Sequence, residues 1–289
     1  MAAMRMQVAL VQLDATGDVA GNIATAVALA DEAAAGGARL VALPEYLQFR
    51  GPDDGFRASA RAIPGAHTEP FADVARRRAA WVLVGSTAET SGDPARPYNT
   101  SVLIAPDGSI AARYRKVHLF DVAVEAGPVD TESARVTAGD RLVTADLDGT
   151  TIGLSICYDL RFPELYRALA LAGSAILTVP ANFTERTGRD HWEVLLRARA
   201  IENAAYVVAP SQIGGPPGQP AFGRSMVVDP WGTIVAQAPD TVGIVRAELV
   251  LDRVVALRAQ IPVLTNRRPD AYGTEREVPA APDPAASRT

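Results

Sequence analysis

The chain reads as a single mixed α/β domain. Short β-rich runs alternate with alanine-rich stretches of helical period, and a strand, Pro/Gly turn and strand unit occurs twice. No segment between these elements has the composition of an interdomain linker. Residues 8–13 read as a strand, 23–35 as a helix ended by Gly36-Gly37, and 40–43 as a second strand. Residues 81–86 and 101–105 continue the pattern, and Pro106-Asp107-Gly108 then turns the chain into a strand over 110–116. Asp229-Pro230-Trp231-Gly232 repeats that turn inside a second hairpin over 226–235, so two similar halves are expected. The apolar run 151–156 reads as a buried strand ending at Cys157. A helix (163–172), a strand (175–179), a helix (190–203), a strand (206–210) and a last helix (251–260) complete the order. The Pro/Gly stretch 214–220 is too short to separate domains and reads as a surface loop near the active site.

At 289 residues the chain is long enough to bury a sizeable core. A net charge of -5 without a dense Lys/Arg block leaves no electrostatic footprint for nucleic acid. Arg76-Arg77-Arg78 lies on a helix-like stretch and reads as a solvated face. No apolar run approaches the roughly 20 residues that span a bilayer. The first residues lack the charged region, apolar core and cleavage site of a signal peptide. The single cysteine cannot form an internal disulfide, and a reducing cytoplasm is the expected location. Three scattered histidines have no metal-ligand spacing, and no glycine loop matches a phosphate cradle, so neither a metal nor a cofactor is expected.

Cys157 stands at the carboxyl end of a buried strand, directly before a helix start, which is where α/β enzymes place nucleophiles. Free cysteine also serves as a small buried hydrophobe, so its neighbours decide between the two readings. A thiol needs a base or a positive field to react as thiolate. His67 lies in a polar loop, His118 follows Lys116 closely, and His191 opens a helical run; none carries a local signature of a Cys/His pair. Two other positions make a better case. Pro44 stops a strand so that Glu45 emerges at its tip, where a carboxylate in a dry pocket suits acid/base work. Lys116 leaves the end of another strand, where a fixed ammonium suits an oxyanion.

Leu43-Pro44-Glu45-Tyr46, Arg115-Lys116-Val117-His118-Leu119-Phe120 and Ile156-Cys157-Tyr158-Asp159-Leu160-Arg161-Phe162-Pro163-Glu164 resemble the three signature blocks of the nitrilase superfamily of carbon–nitrogen hydrolases. The resemblance runs through nearly the whole chain and implies a Glu-Lys-Cys triad of Glu45, Lys116 and Cys157. It also implies a second glutamate, matched by Glu132 with Glu125 as the competing candidate. The residues after the cysteine are similar to those of Nit-type amidases, closest to deaminated glutathione amidases with ω-amidases next. Arg224 departs from that pattern, since many relatives have histidine there.

The implied fold is a four-layer α-β-β-α sandwich over residues 5–273, with residues 278–289 a disordered or dimer-crossing tail. The implied partner is a second copy, giving a homodimer or a larger assembly. The implied reaction is hydrolysis of a small carboxylate-bearing amide through a cysteine thioester, releasing ammonia and an acid. In that scheme Glu45 moves the protons, while Lys116 and the backbone N–H of Tyr158 hold the oxyanion. Tyr46, Asn182 and Phe183 line the pocket, and Arg186, Arg189 and Arg224 are candidates for substrate carboxylates. Arg161 is expected to pair with an acid such as Glu132 or Glu164. The competing readings are an ω-amidase for 2-oxoglutaramate or 2-oxosuccinamate, a nitrilase or N-carbamoyl amidohydrolase, and a catalytically silent binding protein of the same fold.

Overall fold

The computed structural model describes residues 4–125, 129–216 and 218–272, so the tail expected over 278–289 lies outside the described residues. Two six-stranded sheets form the centre. The first runs in the order Gly243–Val250, Arg5–Gln12, Leu40–Ala42, Trp81–Glu89, Tyr98–Ile104, Ile110–Arg115. The second runs Thr144–Leu147, Thr150–Gly153, Ile176–Thr178, Tyr206–Ala209, Met226–Val228, Ile234–Gln237. Each sheet pairs its strands antiparallel, parallel, parallel, antiparallel, antiparallel along that order. The two expected halves are therefore real, and each is a strand, helix, strand, helix, strand and hairpin unit.

Parallel neighbours require crossover helices, and these helices supply the outer layers. Four of them cross over: α1 (Val19–Ala35), α3 (Glu69–Arg78), which follows the short α2 (Asp53–Ser59), α4 (Pro163–Leu171) and α5 (Glu185–Asn203). Side chains alternate along the first sheet. Ala9, Val11, Val41 and Val82 pack under Ala26, Ala30 and Ala33 of α1 and Phe71 and Val74 of α3. Val8, Leu10, Leu40, Ala42 and Leu83 point the other way and share one core with Leu147, Ile152 and Leu177 of the second sheet. That core also takes in Tyr166 and Leu169 of α4 and Trp192 and Leu196 of α5, completing the four-layer sandwich. No helix among the described residues is long and apolar enough to cross a membrane.

Several local readings shift, and short elements such as the edge strand Thr144–Leu147 and the hairpin Asp121–Ala123/Val129–Thr131 join the expected ones. Helix α1 starts four residues before the expected position because Asp18 caps it, accepting from Gly21 N at 3.1 Å. Helix α5 starts at Glu185 rather than 190, and Gly188 lies inside it, where a Cβ would stand 2.4 Å from Phe222 Cβ. The strand Gly243–Val250 was not expected at all, yet it pairs with Arg5–Gln12 along its whole length. Its partner lies at the opposite end of the chain, so no local hairpin signal marks it.

Within both sheets the parallel strands run toward the same end of the sandwich, and the chain leaves them there as Glu45, Cys157 and Asn182. Lys116 leaves Ile110–Arg115 at that end as well. Ligands bind at this edge in open α/β sheets.

Candidate active site

Glu45, Lys116, Glu132 and Cys157 all line one cavity of about 1380 Å³. Their side chains form its floor, with Glu45 and Glu132 1% exposed, Lys116 2% and Cys157 8%.

Glu45 is aimed by its backbone. Leu43 and Pro44 approach the strand Trp81–Glu89 so closely that a Cβ on Gly85 would stand 1.8 Å from Leu43 O. Ser86 then clasps the turn: its N–H donates to Pro44 O at 3.2 Å, and its hydroxyl accepts from Tyr46 N at 3.0 Å. Tyr46 itself adopts φ 55°, a strained conformation held by these contacts. The Glu45 carboxylate accepts from Lys116 Nζ at 3.0 Å, Asn99 Nδ2 at 2.9 Å and Asn182 N at 2.8 Å. Gln212 Nε2 fixes the Glu45 carbonyl at 2.9 Å.

Glu132 sits on a 3₁₀ turn, Glu132–Ala134, that follows the hairpin Asp121–Ala123/Val129–Thr131. It accepts from Lys116 Nζ at 2.9 and 3.1 Å and from Phe120 N at 2.6 Å, and the Tyr46 hydroxyl donates to it. Burial alone would push this carboxyl up. The Lys116 charge and the bonds from Tyr46, Lys116 and Phe120 outweigh burial and hold it below the usual glutamate value. Burial likewise pulls Lys116 down, but Glu132 and Glu45 overcome it, so the ammonium titrates well above its ordinary value and stays charged.

Cys157 opens a 3₁₀ segment, Cys157–Arg161, at φ 48°. The strand Thr150–Gly153 stops short of Cys157, its expected end; extended Ile156 (φ -139°) leads instead into the positive φ of Cys157 and makes an elbow, and two anchors hold it. Cys157 N donates to Pro180 O at 2.9 Å, and the fully buried Asp159 takes Ile156 N at 2.8 Å. Burial first, then the charge of the Glu45 carboxylate, push Cys157 well above the usual thiol range against the pull of Lys116. The thiol is thus protonated at neutral pH. The Tyr158 N–H, in the first turn of the same segment, has no acceptor among the described residues.

Several expected residues line the cavity: Tyr46, Tyr158, Asn182, Phe183, Arg186 and Arg189. Phe183 packs on Trp192 with ring centroids 5.1 Å apart, and Arg189 pairs with Glu185 one helical turn back. Arg186 is exposed and has no ion-pair partner among the described residues. Arg224 does not join them. Its guanidinium pairs with Asp240 at 2.6 and 2.8 Å, outside the cavity. Glu125 is exposed and outside the cavity. Arg161 reaches neither Glu132 nor Glu164; it stands 3.2 Å from His191 Nδ1 and over the Phe183 ring. No histidine meets the thiol: His67 bonds Thr87 Oγ1 at 2.8 Å, and His118 bonds Asp159 at 2.7 Å.

Asn99, Asp159 and Gln212 are the residues that sequence reasoning missed. Each is a fully buried polar side chain inside or beside an apolar run, and such a residue is buried only with a partner to satisfy it. That was the available signal.

With the geometry in place, comparison with known proteins is direct. The carbon-nitrogen hydrolase family profile matches residues 7–259. The deaminated glutathione amidase of Synechocystis sp. strain PCC 6803 is 43% identical over 264 residues, covering 90% of this chain and 97% of that protein. The human omega-amidase NIT2 is 36% identical over 274 residues, covering 94% and 99%. The crystal structure of the C. elegans NitFhit protein superimposes with a TM-score of 0.88 at 38% identity, covering 94% of this chain and 67% of that one. The chain belongs to the carbon-nitrogen hydrolase family.

Proposed function

We propose that the protein is a cysteine amidase whose substrate is a carboxylate-bearing amide of the deaminated glutathione type. The observation that carries this reading is that the buried Cys157 opens onto the same large cavity as Glu45 and Lys116, which contact each other at 3.0 Å.

In the mechanism, Glu45 takes the Sγ proton as sulfur bonds to the amide carbon. The resulting oxyanion lies between the Lys116 ammonium and the Tyr158 N–H. Glu45 returns the proton to the departing amine as the C–N bond breaks, leaving a thioester. It then takes a proton from water, hydroxide attacks the thioester, and the proton goes back to sulfur as the acid leaves. Glu132 is a positioning residue: with three donors on its carboxylate, it fixes where Lys116 Nζ stands.

The size of the cavity supports a long amide over a short one, since about 1380 Å³ exceeds the roughly 300–1,000 Å³ of common ligand pockets. Arg186, exposed on the cavity wall, is the proposed carboxylate contact. The departing amine depends on the substrate. A primary amide such as 2-oxoglutaramate releases ammonia, whereas deaminated glutathione releases a peptide amine. Acid release is therefore the assay common to both.

Cys157→Ala should abolish acid release with the fold intact, and mass spectrometry during turnover of the native enzyme should find the acyl adduct on Cys157 alone. Full turnover by the alanine variant would overturn the reading. Exposed Val194 and Ile201 on α5, Leu171 at the end of α4 and nearby Trp231 support pairing of two copies through this face. Light scattering on the purified protein tests that pairing. The scheme needs a free thiol, which fits a reducing cytoplasm.

A further inference from the structure

The cavity has a floor and a rim, and one arginine joins them. Arg50 follows the Glu45 turn, lines the cavity and is 6% exposed. It lies close enough to the floor for the Glu45 charge to act on it. Its guanidinium does not point at the thiol. It spreads over the loop that joins Ile213–Gly214 to Ala221–Phe222, donating to Ile213 O at 3.2 Å, Gly214 O at 3.0 Å and Gln219 O at 3.3 Å. Asp14 completes the set at 3.4 Å.

Elsewhere the loop is held by its backbone, with Glu185 N donating to Pro220 O at 2.9 Å and Gln219 N to Pro216 O at 3.0 Å. Gly215, Gly218, Gln219 and Pro220 are exposed, and Pro216, Gly218, Gln219 and Pro220 all line the cavity. Carbonyls on both legs of the loop therefore converge on one buried cation, and a fork of five N–H donors is the side chain that can satisfy them together. Gly215 shows how closely the loop wraps that cation. It adopts φ 120°, and a Cβ there would stand 2.0 Å from Arg50 Nη2.

We propose that Arg50 is a positioning residue that shapes this loop into a distal subsite, and that the subsite selects long secondary amides over short primary ones. The inference rests on the amidase reading above. A short amide is held by the floor, where Cys157, Lys116 and Glu45 are buried. Pro216, Gly218, Gln219 and Pro220 of the loop form part of the cavity lining, so a long amide that extends from the floor along this side meets them.

Deaminated glutathione and 2-oxoglutaramate make a matched pair of probes, because they share the 2-oxo acid acyl group and differ only in the departing amine. In Arg50→Lys, which keeps the charge and loses the fork, the ratio of kcat/KM for deaminated glutathione over 2-oxoglutaramate should fall roughly tenfold or more, mainly through KM. Gly215→Ala disturbs the loop from its other side and should lower the ratio in the same direction. An equal loss on both amides, or no loss on either, overturns the proposal. In parallel, calorimetry in the Cys157→Ala background compares binding of the two amides with and without Arg50→Lys. Selective weakening of deaminated glutathione supports the subsite, and equal binding overturns it. If the native protein hydrolyses neither amide, the amidase reading fails while the calorimetric comparison still decides the role of Arg50.

Discussion

The Asp159 carboxylate binds His118 twice, taking its backbone N–H at 3.0 Å and its Nδ1 at 2.7 Å. A carboxylate only accepts, so Nδ1 carries the proton. Asp159 also takes Ile156 N at 2.8 Å and the Tyr114 hydroxyl at 2.7 Å. Tyr114 and His118 flank Lys116, and Ile156 precedes Cys157. One buried side chain thereby ties the segment that carries the ammonium to the elbow that carries the thiol.

Asp159→Asn should lower kcat at least tenfold with little change in KM. An amide has one acceptor where the carboxylate has two, and each buried donor left unpaired costs about 1–3 kcal/mol. Thermal unfolding and steady-state kinetics check this together. A lowered Tm with native kcat would remove the positioning role.

The buried Cys157 thiol should stay protonated through neutral pH, because burial and the Glu45 carboxylate raise it well above its usual range. Thiolate absorbance at 240 nm should show no step between about pH 5 and 8 in the native enzyme. A step in that window, missing from Cys157→Ala, would mean that the resting thiol is already ionised.

Lys116→Met should be the most damaging change at the site. It leaves Glu45 and Glu132 buried without their cation, and breaking such a pair typically costs about 3–5 kcal/mol. Adding Glu132→Gln removes one of the stranded charges, so the double variant should recover stability and stay inactive. Urea unfolding compares the three proteins. The lowered value of Glu132 carries a sign as well: its stabilisation is complete above the ordinary glutamate value of 4.5 and is lost as pH falls through the lower folded value.

His67 makes the fold sensitive to mild acid. Burial first, and Arg61 second, hold this imidazole down from 6.5 to about 4. The folded state favours the neutral ring, so its stabilisation is complete above pH 6.5 and declines as pH falls toward about 4. His67→Gln should flatten the stability profile across that window in urea titrations. An unchanged slope would mean that the ring titrates normally in the fold.

Much of the fold was legible because its signals are local. The period-two strands, the capped crossover helices and the Pro/Gly turns each depend on neighbours in sequence, and they appeared where expected within a few residues. The largest miss has a distant cause. The strand Gly243–Val250 pairs with Arg5–Gln12 at the other end of the chain, whereas the edge strand Thr144–Leu147 pairs locally with Thr150–Gly153 and was missed in spite of that. The site divides the same way. Glu45 and Cys157 each follow an apolar run and Lys116 ends an alternating strand, so they were visible one by one, whereas Asn99, Gln212 and Asp159 matter chiefly through the distant groups they bind.

By itself, then, the sequence indicated the α/β class, the two-half order, the resemblance to a family and the candidate side chains Glu45, Lys116 and Cys157, because its signature blocks and local spacing carry them. Tertiary structure alone decided that Glu132 and not Glu125 reaches Lys116, that Arg224 turns outward to Asp240, and that Arg50 turns from the thiol to the loop. Those outcomes depend on where two sheets bring segments from opposite halves together, and no local pattern records a contact made across that distance.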